Sequence, residues 1–101
     1  MAIDVNYTEE SNILNISVIG KFDFSLLNEF RQAYNNESVK SYEVIVDLRR
    51  TTSLDSSALG MLLSMQEYLG KADREIKIIN SNHDVMKVFS ITHFDKKFTI
   101  E

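Results

Sequence analysis

The fold of this chain is decided by residues 44–60, which read VIVDLRRTTSLDSSALG. The first three are β-branched and the first five almost continuously apolar, a pattern typical of a central strand covered on both faces. A polar loop over residues 49–53 follows. Asp55 and Ser57 then precede apolar residues at helical spacing, which predicts a helix over residues 57–69 with Gly70 as its stop signal. A buried strand leading through a short loop into a helix indicates an α/β domain.

Two half-buried strands and a helix are predicted upstream. Apolar residues alternate with polar ones in a first run with Ile3, Val5 and Tyr7, and in a second run with Leu14, Ile16 and Val18. Residues 9–12 between the runs suit a hairpin connection. Ser25 precedes apolar residues that recur at helical spacing up to position 34, so we expect it to cap a helix that residues 35–38 close.

A strand and a short helix are predicted downstream. Residues 75–79, EIKII, have the pattern of another strand. Residues 81–84 suit a capping box, opening a short helix with Val85, Met86, Val88 and Phe89 inside. Residues 94–100 fit either a strand or a loop.

Together these elements predict one α/β domain over residues 1–101. Strands that alternate with helices need crossover connections, which favour a parallel sheet. We therefore expect a mixed, mostly parallel sheet of four to five strands, with the first hairpin as an antiparallel edge and helices packed on it.

Composition narrows the possible functions. The chain has 101 residues, 44% hydrophobic and 26% charged, with a net charge of −4 and no cysteine. Disulfides and thiolate metal sites are thereby excluded. With no basic, apolar leader and no apolar stretch long enough for a membrane helix, we expect a cytoplasmic protein. The acidic balance argues against nucleic acid as a direct partner.

The start of the second predicted helix has two interpretations. Asp55, Ser56 and Ser57 are residue types that cap helices, which is the common role of such side chains. A helix N-terminus also favours negative charge, so a phosphate on a serine there changes the surface without necessarily unfolding the helix.

The second helix is also unusually apolar. Its apolar positions cover an arc of roughly 220°, wider than a surface helix needs to contact its own core. Either the helix is deeply packed, or a partner covers one edge; the sequence leaves both open.

Two motifs carry a resemblance to a known family. A strand ending in Val46-Asp47-Leu48 is followed by Asp55-Ser56-Ser57-Ala58-Leu59-Gly60, and Gly20-Lys21-Phe22-Asp23 follows an earlier strand. The sequence resembles the STAS domains, specifically the bacterial anti-sigma factor antagonists, over nearly the whole chain. Ala58 stands where that family usually has glycine, and alanine is favourable early in a helix.

The resemblance implies a non-enzymatic switch without a cofactor or metal. It implies that Ser56 is phosphorylated by a serine kinase, often the anti-sigma factor itself, and that a metal-dependent phosphatase reverses this. The unmodified chain, a monomer when free, would bind the anti-sigma factor and release the sigma factor. The expected partner-binding residues are Asp23, Asp55, Ser56, Ser57, Gly60, Met61, Ser64, Met65 and Tyr68.

Other functions have weaker support. No Gly-x-Ser-x-Gly elbow surrounds Ser56, and no histidine is placed by the sequence to act as its base. His83 and His93 are expected to be exposed, and their spacing is not a metal motif. The main alternative is a constitutive STAS subunit of a larger complex, such as a lipid transporter. A small-ligand carrier has no supporting phosphate loop or polar cluster.

Overall fold

The computed structural model describes residues 2–8, 10–35, 43–70 and 76–101. Its strands and helices, in chain order, are β1 (Ile3–Thr8), β2 (Ile13–Val18), β3 (Gly20–Phe22), α1 (Leu27–Tyr34), β4 (Glu43–Asp47), β5 (Thr51–Leu54), α2 (Ser56–Gly70), β6 (Ile76–Ile79), α3 (His83–Ile91) and β7 (Thr99–Ile100). Five strands form one sheet in the order β1-β2-β4-β6-β7. Only β1 and β2 pair antiparallel in it, which confirms the predicted mixed sheet and its N-terminal edge.

One face of this sheet carries the core. Ile16, Val46 and Ile78 lie opposite one another on neighbouring strands, and all three are fully buried. On the other face Ile45 lies between Asn15 and Lys77 and is only half-buried. The central strand, expected to be covered on both faces, is therefore fully covered on one face and only partly on the other, where polar side chains flank Ile45.

A second, two-stranded sheet was not predicted. β3 and β5 pair in parallel, so the expected loop over residues 49–53 is largely a strand. The buried Thr51 hydroxyl donates to the Val18 carbonyl over 2.7 Å, which fastens β5 to the end of β2. A Thr-Thr-Ser sequence has no apolar alternation, so its strand conformation depends on these tertiary contacts.

The helix starts differ from the predictions by one or two residues. Asp23, not Ser25, caps a 3-10 turn at Phe24–Leu26 that leads into α1. Asn82, rather than Ser81, caps α3 by accepting from the Val85 N–H over 2.8 Å. Each region has several residues able to cap, and the backbone path selects one of them.

The predicted ends of several elements meet the limits of the described residues. α1 ends at Tyr34, and the residues expected to close it from position 36 lie outside the described residues. Glu9 of the predicted hairpin connection and Glu75 of the strand predicted over residues 75–79 lie outside them too. α2 continues through Gly70. The ambiguous tail contains a 3-10 turn at Phe94–Lys96 and the short strand β7.

Aromatic rings join the small sheet to the helices. Phe22 of β3 contacts Phe30 of α1, with ring centroids 5.1 Å apart. Phe30 contacts Tyr34, which in turn contacts Tyr68 of α2 at 5.7 Å. This row of rings fixes α1 and α2 relative to the end of β3, where the motif residues lie.

Asn82 provides a test of how β5 is held. Besides capping α3, its amide donates to the Thr51 and Thr52 carbonyls at 3.2 and 3.3 Å. We expect Asn82→Ala to lower the free energy of unfolding by about 1–3 kcal/mol, through loss of the cap and of these bonds. Asn82→Ser keeps an acceptor for the cap but no amide, so its loss is expected to be smaller. Equal losses in urea unfolding of the two variants would mean that the cap contributes nothing.

Candidate functional site

Two loops that carry the sequence motifs meet at one edge of the molecule. β3 and β5 end in register, with Phe22 opposite Leu54, and the Asp55 N–H donates to the Phe22 carbonyl at 3.4 Å. Asp23 and Asp55 are the next residues on these two strands. Because neighbouring strands lie about 4.8 Å apart, the two aspartates begin adjacent turns.

Asp55 is the cap of α2. One carboxylate oxygen accepts from the Ala58 N–H at 3.0 Å and from the Ser57 hydroxyl at 2.6 Å, and the Asp55 carbonyl accepts the first helical bond from Leu59. The hydrogen bond from Ser57, followed by that from the Ala58 N–H, lowers the pKa of Asp55 below its ordinary value. The carboxylate is therefore charged at neutral pH.

Asp23 repeats this arrangement on the neighbouring turn. Its Oδ1 accepts from the Ser25 N–H at 3.0 Å and from the Ser25 hydroxyl at 2.5 Å. Each turn thus has the sequence Asp-x-Ser, with the serine two residues on donating to the aspartate. The residue between them is Phe24 in one turn and Ser56 in the other.

The two serines at the start of α2 differ in accessibility. Ser57 is half-buried, and its hydroxyl donates to Asp55. Ser56 is exposed as the first residue of α2, and within the described part of the chain no hydrogen bond holds its hydroxyl. Of the two hydroxyls, the one on Ser56 is the more available for chemistry from outside.

The substitution of alanine in the motif has a structural explanation. Ala58 is fully buried, lies within α2, and is not among the residues with positive φ. Because the position is helical, alanine fits it without the strain that a left-handed conformation would cause.

The exposed face of α2 is narrower than predicted. Met61 and Met65 are only 4% and 0% exposed and lie in the core, so their assignment to an exposed partner surface is corrected. The apolar arc of α2 is wide because the helix is deeply packed in the core. Gly60 and Ser64 are exposed on the same side as Ser56, while Tyr68 is half-buried against Tyr34.

Phe24 is a surface residue at this edge that sequence reasoning missed. It is 65% exposed, although a phenylalanine is normally buried. Its place directly after the motif aspartate Asp23 was the available signal.

His83 and His93 are exposed. Over residues 2–8, 10–35, 43–70 and 76–101, no three histidine or acidic side chains are grouped so that they could hold a metal ion. None of the helices described there is long and apolar enough to cross a bilayer.

Comparison with known proteins identifies the family. The model of the STAS domain matches residues 4–101. The chain belongs to the STAS domain family. A STAS-domain containing protein of Pseudomonas aeruginosa (strain UCBPP-PA14) is 37% identical over 100 residues, which cover 99% of both chains.

Solved structures share the fold at low sequence identity. The anti-sigma factor antagonist SpoIIAA in its unphosphorylated form has a TM-score of 0.70 at 20% identity, covering 88% of this STAS chain and 82% of that one. Its phosphorylated form, from Bacillus, also has a TM-score of 0.70 at 17% identity, covering 99% and 91%. A sulfate transporter family protein from Wolinella succinogenes has a TM-score of 0.75 at 14% identity, covering 91% and 74%.

The pKa of Asp55 predicts how this cap responds to acid. Because the pKa is lowered on folding, the charged cap stabilises fully above the ordinary value of 3.8. That stabilisation is lost as the pH falls through the lower folded pKa. We expect Asp55→Asn, which keeps a neutral cap, to have a lower Tm than the native chain at pH 6. The difference in Tm should shrink below pH 3.8; a difference independent of pH would contradict a role for the charge.

Proposed function

We propose that this STAS domain is a protein-binding switch controlled by phosphorylation of Ser56. The observation that carries the proposal is the exposed Ser56 hydroxyl at the start of α2, which no described residue engages, beside Ser57, whose hydroxyl donates to Asp55. This is the serine that follows the motif aspartate. A kinase can reach it without unfolding the helix.

The proposed partner is an anti-sigma factor that is also a serine kinase. In this proposal the unphosphorylated chain, a monomer in the cytoplasm, binds the anti-sigma factor and releases the sigma factor. Phosphorylation of Ser56 ends that interaction, and a metal-dependent serine phosphatase restores it. The chain itself needs no catalytic group and no cofactor for this role, since it acts by binding.

The position of Ser56 favours a switch that leaves the fold intact. A phosphate there meets the free N–H groups of the first helical turn, which stabilise an anion by about 0.3–1 kcal/mol. The carboxylates of Asp23 and Asp55 nearby oppose it. These opposing effects are small in water compared with the cost of burying the phosphate in an interface. SpoIIAA structures in the unphosphorylated and phosphorylated forms, each sharing this chain's fold with a TM-score of 0.70, support a local change.

A constitutive role in a larger complex is the second candidate. The similarity of the fold to a sulfate transporter family protein is the observation that favours it. In that case the same surface docks permanently and Ser56 stays unmodified. Purification of the chain from its native cells, with identification of its bound partner and of the mass of the peptide containing Ser56, separates the two functions.

Phosphorylation and binding are tested together with the serine kinase obtained in that purification. We expect the phosphate on Ser56 rather than Ser57, and Ser56→Ala to abolish modification while keeping affinity. Phosphorylation should lower affinity by about 30- to several-thousand-fold, with Ser56→Asp reproducing part of the loss. The thermal midpoint should change little. Phosphate found mainly on Ser57, or a collapse of Tm with phosphorylation, would contradict this mechanism.

A substitution at Gly60 distinguishes an effect on the stability of the chain from an effect on partner binding at the same surface. A Cβ added at Gly60 would meet no heavy atom within 4 Å outside its own local helix backbone among the described residues. Glycine inside a helix is less stable than alanine by about 0.5–1 kcal/mol, so Gly60→Ala should raise the free energy of unfolding.

The same substitution should weaken binding if a partner approaches the backbone at Gly60. Ser64→Ala, one turn further along the exposed face, is the control that adds no atom. A Gly60→Ala chain that is more stable and binds the kinase with unchanged affinity would remove Gly60 from the proposed interface.

A further inference from the structure

Phe24 breaks the pattern of the other phenylalanines. All six lie in the described residues, and five are buried: Phe22, Phe30, Phe89, Phe94 and Phe98. Phe24 is 65% exposed. Its ring therefore contributes little to the core, while exposed aromatic rings are enriched among the residues that dominate protein interfaces.

The register of the small sheet places Phe24 on the turn next to Ser56. Each residue is the second one after the paired positions Phe22 and Leu54, where the two strands end together. Each directly follows an aspartate that accepts from the serine hydroxyl two residues on and from a backbone N–H, that of Ser25 at Asp23 and that of Ala58 at Asp55. A partner surface that covers Ser56 therefore extends naturally to Phe24.

The backbone around Phe24 is held before any partner arrives. Asp23 accepts two hydrogen bonds from Ser25, and the Leu26 N–H donates to the Asp23 carbonyl at 3.1 Å, closing the 3-10 turn. Leu26 is buried and anchors the end of this turn in the core. Binding thus has to order only the two side-chain torsions of the ring, which reduces its entropic cost.

We infer that Phe24 is the aromatic anchor of the switch interface and inserts into an apolar pocket of the partner that covers Ser56. This inference rests on the proposed function and adds the chemistry that the partner presents: an apolar, ring-sized pocket beside the position that meets the Ser56 hydroxyl. Phe24 then determines which partners dock at this edge.

An apolar pocket at Phe24 also explains how one phosphate can disrupt the interface. The ring is stabilised by leaving water, whereas a phosphate on the adjacent turn carries about −1.5 to −2 charges that need hydration. The same partner surface cannot exclude water from the ring and hydrate the phosphate unless it supplies compensating donors. Modification at Ser56 therefore opposes burial of Phe24.

The test compares variants of the full chain in titration calorimetry with the serine kinase that modifies Ser56. We expect Phe24→Ala to lower affinity by about 10- to 100-fold, the equivalent of burying one phenyl ring. The heat-capacity change of binding should also become less negative, as loss of apolar burial requires. Phe24→Leu should restore part of both. Tm should change little because the ring is exposed.

Ile91→Ala is the matched control, because Ile91 is an equally exposed apolar residue, at 69%, but ends α3. Its affinity should stay within about twofold of the native chain. Equal losses for both variants, or native affinity for Phe24→Ala while Ser56→Asp binds weakly, would overturn the anchor; the second result leaves the proposed function intact. Native affinity for Phe24→Ala and Ser56→Asp alike would overturn both.

Discussion

The pairing of β3 with β5 brings two distant parts of the chain to one edge of the molecule, and the site exists only because of it. Strands of three and four residues are too short to be stable alone. β5 is therefore held on two further sides, by the Thr51 hydroxyl on the Val18 carbonyl and by the Asn82 amide on the carbonyls of Thr51 and Thr52. These bonds fix the point at which α2 begins, and hence where Ser56 lies.

The charges at this edge are arranged so that the free protein tolerates them. Each of the two aspartates accepts hydrogen bonds from a backbone N–H and a serine hydroxyl, so neither carboxylate needs a partner molecule. A phosphate added nearby gains from the helix N-terminus and loses to the carboxylates, and water screens both effects. The balance changes when a partner excludes that water, because unpaired charge in an interface is costly. In the proposed switch, phosphorylation therefore acts on binding rather than on folding.

The main sheet could be predicted from sequence because apolar residues alternate with polar ones in β1 and β2, and β4 has a nearly continuous apolar run. Burial follows that alternation in β2, whereas Val5 of β1 is exposed. β5 could not, since its strand conformation depends on β3 and Asn82 rather than on its own residues. The caps were misplaced because Ser25 and Ser81 have side chains as suitable as those of the true caps. On α2, sequence periodicity located the polar face but could not distinguish core methionines from surface ones, as Met61 and Met65 demonstrate.

Two residues at this edge, Phe24 and Gly60, contribute little to the fold of the free chain. Gly60 lies inside a helix, although a Cβ there would meet no heavy atom within 4 Å among the described residues outside the local helix backbone. The Phe24 ring is exposed and contributes little to the core. Sequences that specify a fold usually satisfy local preferences throughout, and departures from them tend to mark functional sites. Ser56 lies on the turn beside Phe24 and one helical turn before Gly60. A partner that covers this edge explains both departures, because it gains an aromatic contact from Phe24 and a close approach to the helix backbone at Gly60.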